Sequence, residues 1–141
     1  MRILFICTGN TCRSPMAEAL CRKLLKEQNK TGITCGSAGL SAMDGEPASP
    51  QAVAACEELG LDISRHRAHT LTMEEAMGVD VCFVMTASHG YVLRRAGVPA
   101  EKIHVASPEI PDPYGGDLMA YRRCRDALET AIRALLEALP C

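Results

Sequence analysis

Cys7 and Arg13 are separated by five residues, and Ser14 follows directly, so that Cys7-Thr8-Gly9-Asn10-Thr11-Cys12-Arg13-Ser14 has the form C-x5-R-S. A cysteine sulfur is a strong nucleophile, and a guanidinium offers two parallel donors to a tetrahedral oxyanion. A loop wound tightly at a helix N-terminus turns backbone N–H groups inward, and with the helix dipole these bind a phosphate dianion. The same donors favour the thiolate form of a sulfur at the loop's base. Such a thiolate can attack phosphorus in line, and the Ser14 hydroxyl can steady it as the leaving group when the intermediate breaks down. Gly9 is expected to take up a backbone conformation closed to most residues, and Asn10 tolerates left-handed geometry. The pattern C-x5-R by itself is loose. The strand before it, the helix signal after it and the Gly-Asn pair inside it sharpen it. A packing cysteine and a surface arginine fit a polar loop poorly.

Phosphoryl transfer also needs a proton donor for the leaving atom. Asp112, in Asp112-Pro113-Tyr114, suits that task and can then act as base on the attacking water; its plain alternative is a turn residue before proline. Asp44, Glu109 and Asp117 read as loop solvation.

The elements that must position these groups alternate along the chain. Residues 2–6 form a short β-branched and aromatic run, a buried-strand signal. Ser14-Pro15 then reads as N-cap and first helical residue, with Met16, Ala19, Leu20 and Leu24 at helical spacing. A second strand is expected over 33–38 and a loop over 39–47. Ser49-Pro50 opens a helix whose stripe is Val53, Cys56 and Leu59, closed by Gly60 in a left-handed cap. Thr72 and Glu75 have capping-box spacing before a short helix. Residues 79–85 are the strongest strand, followed by a helix over 88–96 closed by Gly97, a fourth strand over 102–106 and a Pro- and Gly-rich loop over 107–117. The last helix carries Leu118, Tyr121, Cys124, Leu128, Ile132, Leu135, Leu136 and Leu139 on one face, with its charges mostly on the other.

This β-α alternation predicts an α/β fold: one domain over 1–141 with a four-stranded parallel sheet, order 2-1-3-4, doubly wound with helices on both faces. Ligands bind such sheets beyond the carboxyl ends of the strands, which is where Cys7 falls.

The 141-residue chain carries a net charge of -2, which argues against a nucleic-acid or anionic-membrane partner. The apolar run after Met1 stops at Cys7, short of a signal-peptide core or a membrane span, so a cytoplasmic location is expected. Of the eight cysteines, Cys21, Cys35, Cys56, Cys82 and Cys124 lie among apolar neighbours and read as packing thiols; Cys141 reads as a loose terminal thiol. No metal site and no cofactor is expected.

The stretch from Cys7 to Ser14, continued by Pro15-Met16-Ala17-Glu18-Ala19, resembles the signature of the low-molecular-weight protein tyrosine phosphatases. Ser37-Ala38-Gly39 matches that family's second-strand end, and Asp112-Pro113-Tyr114 its acid-bearing loop. The resemblance implies that Cys7 becomes phosphorylated, Arg13 binds the phosphoryl group and Asp112 protonates the leaving group. It implies phosphate binding by Thr8, Gly9, Asn10, Thr11, Cys12, Arg13 and Ser14, with Tyr114 at the pocket and Asn10, Ser14, Ser37 and His66 in a supporting hydrogen-bond network. It further implies that Cys12 can form a protective disulfide with the nucleophile. The partners expected are phosphorylated proteins, and inorganic phosphate or other oxyanions in the loop.

Two features bear on substrate. Thr11 stands where tyrosine-directed relatives usually carry an aliphatic or small residue, and so resembles the protein-arginine phosphatase branch. Gly115-Gly116 follows Tyr114 where a second aromatic is common, and aromatics are only 4% of the chain; a pocket built to stack a phenol ring would be expected to use more. These features favour phosphoarginine, with phosphotyrosine as the alternative. An arsenate reductase on the same scaffold is a more distant reading, because Cys82 lies inside an expected strand with no partner cysteine close behind.

Overall fold

A computed structural model describes residues 1–139; Cys141, expected as a terminal thiol, lies outside the described residues. Within them the chain forms β1 (Arg2–Cys7), α1 (Arg13–Glu27), β2 (Thr34–Gly39), α2 (Pro50–Glu57), α3 (Met73–Gly78), β3 (Val81–Val84), α4 (Ala87–Ala96), a 3-10 turn at Ala100–Lys102, β4 (Ile103–Val105) and α5 (Leu118–Ala138). All strand pairs are parallel and the order is β2-β1-β3-β4, as expected.

Period-two alternation feeds two cores on opposite faces of the sheet. Ile3, Phe5, Phe83 and Met85 pack with Leu20, Leu24, Cys56, Leu128 and Ile132 from α1, α2 and α5. Leu4, Ile6, Cys82 and Val84 pack with Ala76 and Leu93 from α3 and α4. The Phe5 and Phe83 rings lie 5.3 Å apart at 58°, within the favoured tilted range. No helix of the described residues is long and apolar enough to cross a membrane.

Several local expectations need correction. Ser14 is not the N-cap of α1: the helix starts at Arg13, its N-cap is Cys12 without a side-chain cap, and the Ser14 hydroxyl is buried against Cys7. At α2, Ser49 and Pro50 behave as expected, Ser49 accepting from Ala52 N at 3.3 Å. Gly60 is left-handed (φ +77°) as expected, but the helix itself ends at Glu57. Only half of the capping box forms at α3. Thr72 accepts from Glu75 N (3.1 Å), while the Glu75 carboxylate turns to His69 Nε2 at 2.9 Å.

The three carboxylates read as loop solvation each hold a backbone amide. Asp117 caps α5 through Ala120 N (2.9 Å), Glu109 accepts from Ala87 N in the first turn of α4 (2.7 Å), and Asp44 accepts from Thr70 N (3.0 Å). Arg125, expected on a solvated face, is buried and donates to Ala55 O (2.8 Å) and Glu58 (2.7 Å). Of the five packing cysteines, Cys21, Cys56, Cys82 and Cys124 are buried, and burial pushes Cys56 up to about 11 and Cys124 up to about 12. Cys35 is only half-buried.

Candidate active site

β1 delivers Cys7 to the carboxyl edge of the sheet, where its side chain is buried. The chain then turns back through Asn10, whose φ of +57° makes it the left-handed residue of the loop. Gly9, expected to need unusual backbone freedom, does not show positive φ, and a Cβ there would meet only Thr11 Oγ1 at 3.8 Å. The turn brings Asn10 N to 3.3 Å from Cys7 Sγ and Ser14 Oγ to 3.0 Å from it. Asn10 Nδ2 donates to Ser14 Oγ (2.8 Å), which leaves the hydroxyl's own proton to point at the sulfur or, at the 3.5 Å limit, at Ala38 O. An anionic sulfur is the stronger acceptor.

Asn10 is the hub of the loop. Nδ2 also donates to Ser37 Oγ (3.1 Å), Oδ1 accepts from His69 N (3.1 Å), and His66 Nε2 donates to its carbonyl (2.7 Å). The supporting residues expected from sequence are thus brought together, with His66 on the loop carbonyl. Gly39 is required by close approach, since a Cβ there would sit 2.8 Å from Thr8 O.

Arg13 is 4% exposed. Nη1 donates to Ile110 O (3.0 Å), Nη2 lies 3.7 Å from Asp112 Oδ2, and Nε has no partner among the described residues. Together with the uncapped amides at the start of α1, this makes a set of donors suited to an oxyanion. Asp112 is half-exposed and does two jobs: Oδ1 accepts from Tyr114 N (3.0 Å) in a local turn while Oδ2 faces Arg13. Tyr114 is 80% exposed at the rim. The glycines behind it have a backbone reason to be there. Gly115 has φ +81°, and a Cβ on Gly116 would lie 2.8 Å from Ala120 Cβ and 2.9 Å from Pro113 O. The missing second aromatic is therefore a requirement of this turn and says less about substrate than the sequence implied.

These groups line a pocket of about 320 Å³ with Thr11, Cys12 and three residues of the loop after β2: Ser41, Met43 and Glu46. A larger cleft of about 510 Å³, along α1 and residues 61–66, is lined by no cysteine, serine or threonine. The loop after β2 is pinned to the loop after β1 by Leu40 N to Cys7 O and Ser41 N to Thr8 O (both 2.9 Å). Glu46 has no side-chain hydrogen bond or ion pair among the described residues, so the pocket rim carries a free carboxylate as well as Asp112. Sequence reasoning missed these three residues because nothing local marks them.

It also missed His89 and Tyr121. His89 Nε2 lies 3.0 Å from Thr8 Oγ1; burial, reinforced by the Arg13 charge, holds it below the usual imidazole range. Tyr121 OH lies 3.3 Å from Cys12 Sγ and is pushed up to about 12 by burial and by that thiol. Cys12 Sγ also contacts Ser49 Oγ (3.5 Å) and Thr11 Oγ1 (3.7 Å). The sulfur expected to pair with Cys7 thus has three hydroxyl neighbours of its own.

Comparisons with known proteins agree on one family. Residues 2–140 match the family model described as Low molecular weight phosphotyrosine protein phosphatase. A protein-arginine-phosphatase of Geobacillus stearothermophilus is 37% identical, covering 98% of this chain and 95% of its own. A low molecular weight protein tyrosine phosphatase from T. tengcongensis superimposes with a TM-score of 0.91 at 40% identity, covering 99% of both chains. A YwlE arginine phosphatase carrying a phosphorylated active-site serine also gives 0.91, at 32% identity over 97% of this chain and 94% of that one.

Proposed function

The chain belongs to the low molecular weight phosphotyrosine protein phosphatase family and is a cysteine-dependent protein phosphatase, and we propose that within it the enzyme removes the phosphoryl group from phosphoarginine in proteins. Cys7 Sγ attacks phosphorus. The bond from phosphorus to the guanidino nitrogen breaks as Asp112 gives that nitrogen a proton. Arg13 and the loop amides hold the phosphoryl oxygens throughout. Asp112, now a carboxylate, takes a proton from water, whose oxygen attacks the phosphocysteine. The S–P bond breaks, inorganic phosphate leaves, and Ser14 donates to the returning thiolate. Family membership supports the phosphocysteine route.

The substrate choice rests on one observation: the slot above Cys7 is walled by Thr11 and rimmed by the carboxylate of Glu46 beside the acid Asp112. A guanidinium brings positive charge and several N–H donors to that rim, whereas a phenol ring brings neither. Thr11 also sets a hydroxyl at the slot wall, a polar group that isoleucine would not supply. Its hydroxyl contacts Cys12 Sγ at 3.7 Å and makes no bond to loop backbone, so its presence is not explained by backbone capping. The high similarity to a protein-arginine-phosphatase is consistent with this reading. The exposed Tyr114 ring is the feature that would serve phosphotyrosine instead.

The test is kcat/KM on matched phosphoarginine and phosphotyrosine peptides, with Cys7→Ser as the inactive control. The expected preference for phosphoarginine is at least tenfold, about 1.4 kcal/mol of discrimination, and Thr11→Ile is expected to erode it. Equal or better turnover of phosphotyrosine would reject the substrate assignment; an unchanged preference in Thr11→Ile would reject the role of Thr11.

A further inference from the structure

Cys21 and Cys35, each expected to be an isolated packing thiol, form a pair. Their sulfurs lie 2.8 Å apart. Cys21 faces the core from the middle of α1, and Cys35 stands near the start of β2, half-buried. A disulfide S–S bond is about 2.05 Å long, so closure needs less than an ångström of further approach. The two residues lie 14 apart in sequence, and the bond would tie α1 to the sheet.

The surroundings differentiate the two thiols. Arg22 Nη2 donates to Cys35 O at 3.1 Å, while its Nη1 pairs with Glu18 at 2.6 Å. The hydrogen bond between the two sulfurs, with help from the Arg22 charge, holds the Cys35 thiol below its usual range, whereas that same bond and burial push Cys21 up. Cys35, half-buried where Cys21 is buried, is the member of the pair that oxidant reaches first.

We propose that Cys21 and Cys35 are a second redox site, a dithiol that closes to a disulfide when the protein meets a hydroperoxide and that leaves the catalytic loop untouched. The Cys35 thiolate attacks the O–O bond of hydrogen peroxide. An S–O bond forms, hydroxide departs and is protonated to water, and Cys35 becomes a sulfenic acid. The Cys21 sulfur then attacks Cys35 Sγ. The S–S bond forms, the S–O bond breaks, and the hydroxide leaves as water with the Cys21 proton. Two thiols are oxidised and one peroxide is reduced to two waters. A small dithiol reverses the step by becoming oxidised itself. Cys21 lies eight residues beyond Arg13, about 12 Å along the helix, so the bond braces α1 without entering the phosphate loop.

The test treats the enzyme with hydrogen peroxide, blocks remaining thiols by alkylation and maps peptides without reduction. The expected product is a Cys21–Cys35 cross-link two hydrogens lighter, reversed by dithiothreitol. In a Cys7→Ser background, which removes oxidation of the nucleophile, the cross-link is expected to raise Tm by about 5–10 °C. Cys35→Ser and Cys21→Ser should each abolish both effects, and reduced Cys35→Ser should hydrolyse p-nitrophenyl phosphate at the wild-type rate. Recovery of both cysteines as alkylated thiols at a peroxide dose that oxidises Cys7 would overturn the proposal. So would a sulfinic acid at Cys35 in place of the cross-link, or a cross-link that leaves Tm unchanged.

Discussion

Replacing Asn10 tests whether one buried side chain sets the geometry of the whole phosphate loop. Asn10 is fully buried, and its amide makes three hydrogen bonds: to Ser14 Oγ at 2.8 Å, to Ser37 Oγ at 3.1 Å and from His69 N at 3.1 Å. At a net of roughly 1 kcal/mol each, Asn10→Ala loses about 3 kcal/mol. Alanine must also hold φ near +57°, a conformation that asparagine tolerates better than other residues with a Cβ, and that adds about 1 kcal/mol. Asn10→Gly loses the same bonds but is free in that region, so it should retain about 1 kcal/mol relative to alanine. At roughly 4 °C per kcal/mol for a chain of this size, Tm is expected to fall by about 12–16 °C in Asn10→Ala and by about 4 °C less in Asn10→Gly. Activity should fall in both, because Ser14 loses the donor that aims its hydroxyl at Cys7. A tenfold drop in kcat corresponds to about 1.4 kcal/mol, and at least that is expected with p-nitrophenyl phosphate. Chemical or thermal denaturation and steady-state kinetics on the same preparations suffice. If both variants lose less than about 1 kcal/mol, or if alanine and glycine are equally stable while kcat is unchanged, Asn10 is not the organiser described above.

Asp112→Asn keeps the turn, since an amide oxygen can still accept from Tyr114 N, but removes the proton. We expect kcat on a phosphotyrosine or phosphoarginine peptide to fall by roughly 10²–10⁴, with KM little changed. The loss should be smaller for p-nitrophenyl phosphate, whose leaving group needs less help; an equal loss on both would argue against acid catalysis. Glu46→Gln removes the unpartnered carboxylate at the rim without touching the loop. It is expected to lower kcat/KM on phosphoarginine peptides by about tenfold, the scale of one weakened charge-assisted hydrogen bond, and to leave p-nitrophenyl phosphate turnover within twofold. A uniform loss on both substrates, or none on either, would remove Glu46 from recognition of the guanidinium.

The sheet was readable because its signals are local and agree with one another. The apolar run of β1, the Ser49-Pro50 start of α2 and Gly97 at the end of α4 each announce an element within a few residues, and alternation of type then fixes a parallel sheet. The errors also have a local cause. Ser14-Pro15 has the appearance of a cap, yet α1 begins earlier, because Ser14 is drawn inward by Cys7 and Asn10. Asp44, Glu109 and Asp117 look like solvated loop charges because their partners are backbone amides, two of them on segments distant in sequence, and a backbone amide leaves no mark on composition.

The site divides along the same line. The Cys7–Ser14 loop is contiguous, so its residue types and spacing carry most of its chemistry. The rest of the pocket is assembled by topology. In a parallel sheet every strand ends at the same edge, and the segments after β2, β3 and β4 therefore bring Glu46, His89 and Asp112 to the loop that follows β1. Strand order predicts that such neighbours exist but not which side chains they are. Asp112 was recognisable because a family motif surrounds it; Glu46 and His89 have no such frame. The Cys21–Cys35 contact escaped for a related reason. Each cysteine sits among apolar residues that explain its burial, and only the packing of α1 on β2 shows that the two burials are one. What the fold adds to the motif is thus the set of side chains that stand opposite it, and those are the positions where discrimination between a guanidinium and a phenol has to be built.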